Sequence, residues 1–167
     1  MVGLVTGITW VADDLLEALP AYKVRPAPDT GGERFMLGTP AYESLAAVEA
    51  AAGFLLEVGL ERIAAYERRV FARLLDGLLD LDRVRVLGPH DLTDRAPTLA
   101  FTVEGRTPRE VALALAEQRV AVWDGTYYAV EAMAALGVAS AVRAGVAAYV
   151  TDDDVDRLLE GVRGLLR

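Results

Sequence analysis

The chain has 167 residues, 53% of them apolar, a net charge of −8 and a sequence pI of about 4.7. That length serves one domain with a sizeable core, and the acidic balance leaves no basic stripe for a nucleic-acid partner. The absence of cysteine excludes a disulfide framework and a thiolate metal site.

Mean hydropathy is +0.28, and much of the excess is alanine. No window approaches the ~18 uninterrupted apolar residues of a membrane span. The start lacks a basic region and carries Asp13 and Asp14 early, so it makes a poor signal peptide. Cytoplasm is the expected compartment. The single histidine, His90, sits in the turn-like Gly-Pro-His-Asp and cannot form a multi-histidine metal site.

In chain order, Val2–Thr6 reads as a strand ending at Gly7, and Trp10–Leu19 as a short helix stopped by Pro20. Pro26, Pro28, Gly31 and Gly32 mark a loop. Ala41 to Glu57 has helical patterning, interrupted at Gly59. A longer helix follows, with Leu60, Ile63, Val70, Phe71, Leu74, Leu75 and Leu78 on one stripe, the signature of core packing. Strands are expected at Val84–Leu87, Thr98–Val103, Val120–Trp123 and Ala141–Ala147. Thr107-Pro108-Arg109-Glu110 opens a helix as a capping box, and Thr151-Asp152-Asp153-Asp154 opens another. Val155, Leu158, Leu159, Val162 and Leu165 mark the buried face of the last helix. Strands mixed with helices in this order predict a small α/β sandwich with one helical layer.

A few residues stand out chemically. Gly38-Thr39-Pro40 precedes the first long helix; threonine suits its cap, proline its first turn, and free amides beside a hydroxyl suit a phosphate. The same residues also serve ordinary helix starts. Arg143 stands in the apolar run Ala-Val-Arg-Ala-Gly-Val. An unpaired buried guanidinium is costly, so it should face a cleft or pair internally with an acid. A bidentate carboxylate contact would contribute roughly 1.5–3 kcal/mol. Tyr127 and Tyr128 follow the turn at Gly125 and suit stacking on a planar ring, hydrogen bonding, or plain interface and core packing. Lys23, the sole lysine, reads as a solvated loop residue rather than the desolvated lysine a Schiff base requires.

The order of motifs resembles the class V aminotransferase and cysteine desulfurase group of pyridoxal-phosphate (PLP) enzymes. The loop and helix pair GTPAYESLAAVEAAAGFLLEVGLERIAAYE is followed by VRVLGP, LAFTVEG, TPREVALAL, VWDGTYYAV, VRAGVAAY and YVTDDDVDRLL. The likeness runs over nearly the whole chain and is strongest to the desulfurase-like branch that carries Gly-x-Tyr-Tyr-Ala where true desulfurases carry a cysteine.

The resemblance implies an α/β fold: the small C-terminal domain of a fold-type-I PLP enzyme, with a mostly antiparallel sheet and helices on one face, entered by long helices. It divides the chain into a remnant of the large cofactor domain (1–35), the Gly-Thr loop with connecting helices (36–83) and the small domain (84–167). It implies that Gly38 and Thr39 contact the cofactor phosphate, commonly from a neighbouring subunit. Arg143 would hold the α-carboxylate of an amino-acid substrate, and Gly125, Tyr127 and Tyr128 would flank the site.

The desulfurase cysteine falls near Tyr128, and tyrosine forms no persulfide. Val150 replaces the usual asparagine, and Asp154 replaces the usual glutamate while keeping the cap. The Schiff-base lysine, the pyridine-pairing aspartate and the ring-stacking residue would precede Val2, so no catalytic residue is assigned within the chain and covalent cofactor attachment is not expected. The implied partners are an amino acid and either a second copy or a missing N-terminal half. The implied product is the C-terminal portion of such an enzyme, inactive by itself, or a non-catalytic assembly or anion-binding module derived from it; a truncated version of a longer product fits equally.

Overall fold

The computed structural model describes residues 6–36 and 38–167. It divides into two compact units, residues 1–58 and 59–167. The strand expected at Val2–Thr6 falls outside the described residues except for Thr6, which is not in a strand.

Among its described residues the first unit holds two α-helices and a 3-10 turn. Helix α1, Asp13–Ala18, is shorter than its sequence pattern and buries none of its residues. The loop after it is organised by Arg34, which is buried within the 3-10 turn Gly32–Phe35. Its guanidinium donates to the carbonyls of Asp29 and Leu19, both at 3.2 Å, and of Leu16. Helix α2 spans Tyr42–Val58, and Ser44 is its one buried residue. Tyr42, Leu45, Phe54, Leu55 and Leu56 are all exposed. Gly59 (φ 92) occupies a backbone region closed to most side chains, and this stops the helical run.

The second unit contains every buried apolar residue found among the described residues. Its elements are α3 (Leu60–Leu79), β1 (Val84–Leu87), β2 (Thr98–Val103), α4 (Pro108–Glu117), β3 (Trp123–Gly125), α5 (Val130–Ala135), β4 (Ala141–Gly145) and α6 (Asp152–Leu165). The sheet order is β1-β2-β4-β3, with every pairing antiparallel. Strands β2 and β3 are joined through α4 with β4 inserted between them, a split β-α-β arrangement. The last strand in sequence therefore lies inside the sheet, hydrogen-bonded on both edges.

The core follows from two periodicities. Alternate residues of the strands, Leu99, Phe101, Val103, Val142 and Ala144, point to one face. There they meet Val70, Phe71, Leu74 and Leu78 of α3, Val111 and Leu115 of α4, and Val155, Leu158, Leu159 and Val162 of α6. A Cβ on Gly77 would lie 2.4 Å from a Leu159 methyl, and one on Gly161 would lie 2.6 Å from a Leu115 methyl. Small residues at these positions allow α6 to approach α3 and α4. Both predicted capping boxes form: Thr107 with Glu110, and Thr151 with Asp154. Tyr66 ties α3 to the loop before α6 by donating to the Val150 carbonyl at 2.8 Å. Exposed ion pairs Arg69–Asp152 and Arg73–Asp156 flank that helix contact. At such exposure they contribute little to stability.

The third strand begins later than its sequence pattern predicts. The run Val120–Trp123 was expected to pair throughout, but pairing begins only at Trp123. Arg119 is left-handed (φ 62), and the amide of Val120 turns back to the Leu115 carbonyl at 3.0 Å. Val120 thus closes the end of α4 and caps the core. The short helix α5, which the pattern does not announce, packs Met133 with Leu87 and Ala141 on the opposite side of the sheet.

Candidate functional site

The alternation of β4 determines what Arg143 does. Val142 and Ala144 are buried against the helices, and Arg143 is exposed on the other face. Its backbone is held in register with Ala100 of β2 and Trp123 of β3. The small Ala100 leaves space beside it. A guanidinium on a doubly paired inner strand has a fixed base, the support that a binding residue needs.

No acid lies within 4.0 Å of Arg143 among the described residues, in contrast to Arg69, Arg73, Arg83 and Arg109. Its guanidinium instead lies over the Tyr127 ring, 4.8 Å from the centroid, in a cation–π contact. Such a contact leaves the N–H edge of the fork free for a carboxylate. An internal ion pair, one of the two sequence alternatives, is thus not formed with any described residue. Arg143 lines an open cavity of about 780 Å³ together with Trp123, Gly145, Thr98 and Tyr149, and the cavity continues to Val120, Val146 and Leu158.

The turn after β3 places the tyrosine platform. Gly125 has φ 130, where a side chain would be strained. Tyr127 (φ 56) and Tyr128 (φ 58) are both left-handed, which is rare for aromatic residues. The reward for Tyr127 is a locked hydroxyl that donates toward the carbonyls of Trp123 (3.1 Å) and Ala141. Burial pushes its pKa up to about 12, against the lowering pull of Arg143 and with a small upward push from Asp124. Tyr127 is therefore a neutral ring at ordinary pH. Tyr128 is fully exposed. Asp124 is engaged by Arg109 at 3.3 Å on the sheet edge. Gly125, Tyr127 and Arg143 thus belong to one cluster, and Tyr128 projects away into solvent. Trp123 belongs to the same cluster but carries no sequence signal of a site, because only the strand register sets it opposite Arg143.

Gly38 and Thr39 lie in the first unit. Gly38 has φ 86, and Thr39 is exposed in a bend. Helix α2 starts at Tyr42, so Thr39 and Pro40 lie in the loop ahead of it, not at its cap and first turn. Gly38 and Pro40 line a cavity of about 570 Å³ that also includes Lys23 and Arg25. Lys23 is not a freely solvated loop residue. Its ammonium donates to the Ala27 carbonyl at 3.1 Å and pairs with the Asp29 carboxylate. That partner's pKa is held below the usual carboxylate value by the hydrogen bond and charge of Lys23.

The exposed Thr39 beside Gly38, with Arg25 on the neighbouring cavity, has the chemistry to contact the phosphate of a PLP group, although Lys23 is already paired with Asp29 and Glu33 shares that lining. The lysine that would hold the group covalently has no such fit, since Lys23 is committed to Asp29. Among the described residues no three metal-ligating side chains gather together, and no helix is long and apolar enough to cross a membrane.

A four-stranded antiparallel sheet backed by helices, with Arg143 exposed on the face away from its core and no acid within 4.0 Å of it among the described residues, defines a cation-presenting α/β unit. Comparison with known proteins gives its family. The aminotransferase class-V family matches residues 7–158, and the chain belongs to that family. A probable cysteine desulfurase 2 of Mycobacterium leprae is 34% identical over 137 residues, covering 82% of this chain and 32% of that protein. The apo structure of the cysteine desulfurase of Thermococcus onnurineus NA1 superposes with TM-score 0.87 at 25% identity, over 93% of this chain and 42% of that one. A C-DES variant with glycine covalently linked to its PLP cofactor shares the fold, with TM-score 0.64 and 21% identity, over 85% of this chain and 35% of that one. The chain spans about a third to two fifths of the length of these relatives.

Proposed function

We propose that this chain supplies the substrate-carboxylate and cofactor-phosphate contacts of a PLP-dependent enzyme acting on an amino acid. Arg143 receives the α-carboxylate, and Gly38 and Thr39 contact the cofactor phosphate. Tyr127 braces the arginine, and the Gly125–Tyr128 turn flanks the site. When bound, the cofactor supplies an electron sink for bonds at the amino acid's α-carbon. The residues here bind and orient; none is assigned proton transfer or nucleophilic attack. A persulfide on a cysteine of these 167 residues is excluded by composition, so the reading does not extend to desulfuration through such a group.

The observation that carries this reading is the exposed guanidinium of Arg143, free of any acid among the described residues and braced over Tyr127 at the cavity. Calorimetric titration with L-alanine tests it. Binding is expected for the wild type and lost in Arg143→Gln. Undiminished binding by Arg143→Gln would remove the assignment. The non-covalent role for the cofactor has its own check. Treatment with PLP and borohydride should leave Lys23 without a stoichiometric reduced adduct in mass spectrometry.

A second reading, that the chain also serves as an assembly module, has the apolar surface of α2 in its favour. In this reading a second copy covers Phe54, Leu55 and Leu56. Light scattering after size-exclusion chromatography should then show a dimer, and Leu56→Glu a monomer. A monomeric wild type would remove this reading and leave the carboxylate assignment untouched.

A further inference from the structure

Resting on the reading of Arg143 as a carboxylate anchor, we infer that Trp123 is the specificity-determining wall of the same groove and selects carboxylates with an apolar or aromatic side chain. Three observations converge on it. Trp123 is the direct cross-strand partner of Arg143. Side chains so opposed project from the same face, with Cβ atoms about 4.5–5.5 Å apart. Both line the same cavity. A carboxylate on the fork of Arg143 therefore has its substituent beside the indole.

The chemistry of the surroundings sets the class of ligand. Trp123 is 64% exposed, although nothing about β3 requires a large aromatic residue on its free face. Beyond it the cavity runs through Val120, Val122 and Val146, and farther out Arg119, Asp154 and Arg157 also line it. The nearby acid on β3, Asp124, is already engaged by Arg109, and it occupies the alternate strand position. The indole beside the anchor is a planar, apolar surface suited to stacking. The backbone carbonyl of Trp123 also accepts from Tyr127, the ring that braces Arg143. The anchor and the wall are fixed by one hydrogen-bonded turn.

The test uses the full chain, with two probes, acetate and 3-phenylpropionate, followed by amide and guanidinium shifts in ¹⁵N correlation spectra. Wild type is expected to bind 3-phenylpropionate about tenfold more tightly than acetate, the scale of one aromatic contact in a half-open groove. Trp123→Ala should bring the two ligands within about twofold of each other while acetate binding stays the same. Trp123→Phe should keep most of the preference. The position is exposed, so a retained dispersed spectrum verifies that each variant is folded.

If Trp123→Ala keeps the full preference, or if wild type binds both ligands equally through Arg143, the inference is overturned while the carboxylate reading survives. If neither ligand shifts Arg143, the carboxylate reading fails and this inference fails with it.

Discussion

The two units of the chain solve the burial problem differently. Residues 59–167 bring three helices and the sheet around a continuous apolar core, and the other face of the sheet carries α5 and the exposed Arg143. Among the described residues of 6–58 the buried ones are Arg34 and Ser44, and the large apolar side chains stand exposed along α2. Sequence hydropathy does not separate them, because both are rich in apolar residues. What differs is whether the apolar stripes find partners. The second unit has the anatomy of a self-supporting domain, and the first leaves the large apolar side chains of α2 uncovered.

The comparison breaks most easily at the centre of the second unit. Phe101 is fully buried between α3, α4 and α6, and Phe101→Ala should cost about 3–5 kcal/mol, read by urea unfolding of the intact chain. Loss of only a few tenths would mean that the core is not cooperative. Removing a cap should cost less. Thr151→Ala deletes the acceptor for the Asp154 amide at the start of α6 and should cost about 1 kcal/mol. Smallest of all, Leu56→Ser in α2 should change unfolding of the monomer by less than about 0.5 kcal/mol. A large effect there would mean that the first unit has a core of its own.

Acid and alkali sharpen the same contrast, since every resolved shift but one lies in the second unit. Backbone and hydroxyl hydrogen bonds from Thr151 hold Asp154 below the usual carboxylate value, and those from Thr107 do the same for Glu110. The side-chain hydrogen bond from Arg73 likewise lowers Asp156. Folded values below the unfolded ones mean stability that is complete above the ordinary carboxylate range of about 4. It is lost as pH falls through the lower folded values. The sign reverses for Tyr127. Its folded pKa of about 12 exceeds the ordinary 10.0, so its contribution is complete below pH 10.0 and declines as pH rises toward 12. Absorbance titration near 295 nm should show one late-ionising tyrosine, absent in Tyr127→Phe.

How much was legible in the sequence depended on where the determining force was local. Both capping boxes, the α3 stripe and the strand Thr98–Val103 are local patterns, and each appears as read. Helix α5 was not legible because it is six residues long and buries only Met133. The start of β3 was displaced because Val120 has two competing uses, pairing in the sheet or closing α4, and the hydrogen bond to Leu115 decides for the second. At the site, Arg143 stood out as a charge in an apolar run. Its brace did not, since two consecutive left-handed tyrosines run against residue preference and are sustained by the contacts of Tyr127 with Arg143 and two carbonyls. Trp123 was hidden for a different reason: only strand register makes it a neighbour of Arg143.

The central claim, that Arg143 is an accessible carboxylate anchor, is tested most directly by its own Nε–Hε resonance. Titration with acetate against chloride at matched ionic strength should move that resonance saturably with acetate alone, with the Tyr127 ring signals following. A resonance that stays still under acetate, or moves equally with chloride, would contradict the account.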